Sequence, residues 1–131
     1  MITEFEDIKI VSLDDKASYK SDPSSALMHV VLSLSASAPH EWSNYFNQRW
    51  RQQFYMMKRN ASVSGKRLEI YCVPDDLQND HIPELNKVIA ETNHAYRQHL
   101  AHTQQKAATQ AAAEAAEREK LASIKAGLKF D

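Results

Sequence analysis

The sequence predicts an α+β fold: a four-stranded antiparallel sheet in β-β-α-β-β-α order, two helices on one face, and a last helix extended into a long Ala-rich C-terminal stem. Three observations carry this. Residues Leu27 to Ser35 alternate with a period of two. Trp42, Phe46, Trp50, Phe54 and Met57 recur at steps of three and four. Ala fills seven of the ten positions from 107 to 116, and no Gly or Pro falls between Ala101 and Lys120. Period two is the spacing of a half-buried strand, three-to-four that of an amphipathic helix, and Ala has the highest intrinsic helix propensity.

The first strand is expected over about Phe5 to Leu13, with Ile8 and Ile10 on one side and Val11 and Leu13 on the other. Asp14 to Ser25 is polar and reads as a loop, long for a hairpin. In the second strand Met28, Val30, Leu32 and Leu34 share one face, and His29, Val31, Ser33 and Ser35 the other. The first helix should begin near Ser37-Ala38-Pro39, where proline's missing donor costs nothing, and Glu41 suits the positive end of the dipole. Its aromatic stripe is expected to be buried through Met57. Gly65 supplies the positive φ of a tight turn between Ala61–Val63 and Lys66–Val73, which makes a hairpin. The second helix should start around Pro83-Glu84, capped by Asp80, with a stripe of Leu85, Val88, Ile89, Thr92, Tyr96 and Leu100. Its Ala-rich continuation runs to about Ala126, and Gly127 stops it. A compact domain over 1–103 and a helical extension over 104–131 follow.

A chain of 131 residues excludes large multidomain enzymes, and 43% apolar content excludes wholesale disorder. One cysteine, Cys72, excludes an internal disulfide framework and a Cys-rich zinc site. The start MITEFEDI has no apolar h-region, and no run approaches eighteen apolar residues, so the expectation is a cytoplasmic protein with no membrane partner. The net charge of −1 is unevenly spread: residues 1–39 carry −3, 40–72 carry +4, 73–99 carry −3 and 100–131 carry +1.

The candidate contact residues come from that map. Between Arg49 and Arg67 lie six bases and no acid. On a continuous helix Arg51, Tyr55 and Arg59 would share one face, and with Lys58, Lys66 and Arg67 they form a candidate partner- or nucleic-acid-binding surface. The competing reading is a solvated face whose charges pair with the acidic segment 73–91, which a near-neutral chain favours. At the other end, Leu121, Ile124, Leu128 and Phe130 restore apolar character beyond the stem and form a candidate docking tip. The same residues suit a frayed terminus, and alanine also permits close pairing of two stems.

The sequence names no catalytic residue, cofactor or metal site. Its two glycines, Gly65 and Gly127, cannot form a phosphate loop. Cys72 is spaced as a core thiol. His94, His99 and His102 have no cysteine beside them and no carboxylate after Glu91 within their segment, which suits surface histidines. Glu84 and Lys87 are three apart on a predicted helix, so with Asp75 they do not make a metal-nuclease set. If an enzyme pocket exists, the uncovered sheet face would supply it around His29, Glu69 and Tyr71. The leading expectation is a small non-enzymatic module that binds a protein partner or itself. A nucleic-acid-binding accessory using residues 49–67 comes second, and an enzyme third.

Overall fold

The computed structural model describes residues 5–129, and it has the expected α+β architecture. Strands β1 (Ile10–Tyr19) and β2 (Met28–Leu34) lead into helix α1 (His40–Gln52). Strands β3 (Ala61–Ser64) and β4 (Arg67–Cys72) follow, then a short 3₁₀ turn, a π turn (Leu77–His81) and helix α2 (Ile82–Gly127). The sheet is antiparallel in the order β1-β2-β4-β3. The chain divides into two compact units, one ending at Arg97 and the other beginning at Gln98.

The core face of the sheet carries Val30, Leu32 and Leu34 of β2 beside Leu68, Ile70 and Cys72 of β4, all buried. Against it α1 lays Trp42, Phe46 and Trp50, one helical step of four apart. Their rings stack nearly parallel, with centroids 5.9 and 6.1 Å apart. The first part of α2 adds Leu85, Val88, Ile89 and Tyr96. Burying side chains of this size contributes roughly 2 kcal/mol each, so these rows hold the unit together.

Two asparagines join elements through their amides. Asn93 of α2 accepts from the Ile8 backbone N–H (3.0 Å) and from Trp42 Nε1 (2.9 Å), and donates to the Ile8 carbonyl (2.9 Å). Buried among apolar groups, it accepts twice and donates once and so ties the segment before β1 to both helices. Asn47 of α1 does the same for Val63, accepting from its N–H (2.8 Å) and donating to its carbonyl (3.3 Å). That amide occupies the free edge of β3, which would otherwise offer unpaired backbone groups.

Three expectations are corrected. The first strand runs from Ile10 to Tyr19, not from Phe5 to Leu13, and takes in the first half of the expected loop. Its register against β2 slips between Asp14 and Tyr19. Side chains bridge the slip: Asp14 Oδ1 accepts from the Ala17 N–H, and Ser18 Oγ accepts from the Val31 N–H. The first helix stops at Gln52, so Phe54 and Met57 leave the buried stripe and are 92% and 50% exposed. Helical phase continues past Gln52 in the sequence, but Tyr55 turns inward to pack edge-on against Trp50 and to hydrogen-bond His81 Nδ1 at 2.8 Å. A tertiary contact overrides the local pattern. Asp80, the expected helix cap, lies inside the π turn. Gly65 takes the expected positive φ, +60°.

Candidate functional site

The basic stretch does not form one surface. With α1 ending at Gln52, Arg51, Tyr55 and Arg59 do not share a helical face. Arg51 is exposed at the helix end, and Lys58 Nζ donates to its carbonyl at 3.2 Å. Lys58 also lies over the Trp50 ring, and Trp50 Nε1 donates to the Arg59 carbonyl at 2.9 Å. Lys66 and Arg67 sit at the far end of β3, about 13 Å along a strand of four residues. There the Leu34 N–H donates to the Lys66 carbonyl at 2.9 Å. Arg49 pairs with Glu91 at 3.7 Å. Asp76 and Arg59 exert opposed charges on both Cys72 and His81. Arg51, Lys58 and Arg59 therefore cluster around the loop after α1, while Lys66 and Arg67 belong to the hairpin turn.

Behind that loop Cys72 and His81 are buried and Tyr55 is half-buried. Burial pushes the Tyr55 phenol up to about 12 and the Cys72 thiol up to about 11. It also draws the His81 imidazole below its ordinary value of 6.5. Cys72 is a core thiol with no exposure, and a nucleophile needs the reverse.

In the second unit every residue from Ala101 to Lys129 is exposed. Leu121 and Ile124 lie in the last turns of α2, and Leu128 just beyond its end, at 66%, 48% and 51% exposure. Phe130, the fourth member of the expected tip, lies outside the described residues. Among the described residues no group of three His, Cys, Asp or Glu side chains is placed to hold a metal ion, and no helix is long and apolar enough to cross a membrane.

Both helices pack on one sheet face, and the other face gathers a polar and aromatic cluster. Tyr19, His29 and Tyr71 stand in register across β1, β2 and β4. The His29 ring lies between its neighbours, 4.6 Å from Tyr19 and 4.5 Å from Tyr71. Glu69, two residues before Tyr71 on β4, brings Oε2 to 3.4 Å from His29 Nδ1. That nitrogen is buried and has no hydrogen-bond partner, while Nε2 reaches Ser21 Oγ at 3.3 Å. His29, Glu69 and Tyr71, with Asn60, Ala61 and Ser62, line a cavity of about 270 Å³. The alternation of β2 and β4 places the first three together. Tyr19 was missed because its alignment with His29 depends on the register slip in β1.

No protein-family model matches this chain, and no curated protein or solved structure matches it significantly.

Proposed function

We propose that the protein is a non-enzymatic interaction module of the cytoplasm whose distal helix, residues 98–127 of α2, docks a protein partner. The observation that carries this reading is the set Leu121, Ile124 and Leu128, apolar and exposed beyond a stretch, Ala101 to Lys120, that offers only alanine and polar side chains. Leu121 and Ile124 have the i, i+3 spacing of helical anchors entering an apolar groove, and Leu128 follows just past the helix end. Lys120, Lys125 and Lys129 accompany them, and no acid occurs from 120 to 129. The partner's groove therefore has an apolar floor and an acidic rim.

Desolvation, which holds the Cys72 thiol and the Tyr55 phenol protonated, supports the non-enzymatic part. Nucleic-acid binding through residues 49–67 has weaker support, because the six bases are divided and Arg49 already faces Glu91. Self-association is the second reading, favoured by Ala101, Ala108, Ala115 and Ala122, which recur every seven residues along one line of the exposed helix.

The test places a photo-crosslinking residue at Ser123 in the full-length chain, beside a Leu121→Asp, Ile124→Asp version. The reading expects a discrete crosslinked protein that the double variant abolishes, and a monomer by light scattering. Crosslinks only between copies of the chain would replace it with self-association. Crosslinking unchanged by both substitutions would overturn it.

A further inference from the structure

The cavity on the open sheet face has a chemistry of its own. One formal charge lines it, the Glu69 carboxylate, whose side chain is 41% exposed. Tyr71 and His29 give it an aromatic side, and Asn60, Ala61 and Ser62 complete its lining. Register fixes this arrangement. Tyr71 pairs with His29 on one side and its N–H donates to the Asn60 carbonyl at 2.9 Å on the other, while Glu69 lies between Val31 and Ser62.

A carboxylate beside an aromatic face, bordered by neutral acceptors, recognises a cation that can stack and donate at once. A phosphate-bearing ligand would meet Glu69 first, because Arg67, two residues away on the same face of β4, and Lys66 do not line the cavity. The His29 ring is held between Tyr19 and Tyr71. Glu69 Oε2 lies 3.4 Å from its Nδ1 without a hydrogen bond, and the 41% exposed carboxylate is open to donors from a ligand. A guanidinium group meets each requirement. It is planar, so it lies on Tyr71, and its fork of N–H groups matches a carboxylate in a way an ammonium cannot.

We propose that this cavity binds a guanidinium group, paired in a bidentate manner with Glu69 and stacked on Tyr71, and carried either by a small guanidino compound or by an arginine side chain of a peptide. The proposal is independent of the docking role of α2.

The experiment titrates the full-length protein, labelled for amide NMR, with methylguanidine, with a blocked Gly-Gly-Arg-Gly-Gly peptide, with its lysine counterpart and with adenosine monophosphate. Saturable shifts confined to Ser62, Glu69, Tyr71 and their neighbours are expected with one or both guanidinium probes. Saturation by the peptide well below the concentration needed for methylguanidine assigns the site to arginine side chains, and the reverse assigns it to small compounds. Loss of the Glu69 charge in Glu69→Gln should weaken binding at least about tenfold. Tyr71→Leu should weaken it about threefold, as loss of stacking on a half-buried ring predicts. Both variants should leave the remaining amide spectrum in place, and a Glu69→Asp variant retaining part of the affinity would separate charge from shape. Absence of saturable shifts, indifference to Glu69→Gln, equal affinity for the lysine peptide, or a preference for the nucleotide would each overturn the proposal.

Discussion

Between Ile82 and Arg97, α2 buries Leu85, Val88, Ile89, Thr92, Asn93 and Tyr96, whereas from Ala101 to Gly127 the same helix buries nothing. The first stretch is poor in strong helix formers: Val88, Ile89 and Thr92 are β-branched and cost helix propensity. Packing holds it in place. The second stretch has no packing of its own and relies on alanine, with Glu114 and Arg118 spaced as a favourable i,i+4 pair. One helix is thus maintained by two different causes. Substitutions in the first stretch should act on global stability, and substitutions in the second only on local helicity.

The sharpest way to break this comparison is Asn93→Ala. It strands the Ile8 N–H, the Ile8 carbonyl and Trp42 Nε1 in the interior, and should cost about 4 kcal/mol in urea unfolding. A loss below about 1 kcal/mol would mean that water replaces the amide. Next comes a matched pair. Leu85→Ala, at a fully buried site, should cost about 3 kcal/mol, whereas Leu121→Ala should stay within about 0.5 kcal/mol. Equal losses would show that the distal residues are packed in solution.

A smaller effect is expected of Ala112→Gly. It should lower the helical ellipticity of the distal stretch, costing about 1 kcal/mol locally, and leave the urea midpoint unmoved. A shifted midpoint would couple the two stretches. The smallest effect depends on pH. His81 has a depressed folded-state pKa, so the unfolded chain binds its proton first as pH falls. Its contribution is complete above the ordinary value of 6.5 and is lost as pH drops through the folded value. Thermal stability should fall from pH 7 to pH 5, and His81→Asn should flatten that slope. An identical slope in the variant would assign the loss to other groups.

The sequence made some of this legible and hid the rest for physical reasons. β2, the β3–β4 hairpin and the Trp42-Phe46-Trp50 row follow from periodicity, because each buries one regular face. The end of α1 does not, because the pattern continues through Phe54 and Met57 while Tyr55 is captured by His81, a residue 26 positions away. The extension of β1 does not, because Asp14 and Ser18 bridge a slipped ladder with side-chain bonds that look like loop chemistry. Asn47 and Asn93 carry no periodic signal, since a polar residue on a helix reads as solvated until its backbone partner is known. At the open sheet face, alternation places His29, Glu69 and Tyr71 on one side, but their convergence on Asn60 and Ser62 depends on how β3 and its approach align with β4.

The amide of Asn93 also bears on how the molecule opens and closes. Its bonds to Ile8 span 85 residues, and closing a free loop of that length costs about 4 kcal/mol of chain entropy. Residues 5–9, ahead of β1, belong to no helix or strand, so they gain little until α2 has docked. They should be the last piece to join during refolding and the first to detach in native-state fluctuations. Amide hydrogen exchange at Ile8 would then proceed faster than at Val30 or Ile70, revealing a latch that is slow to set and quick to release.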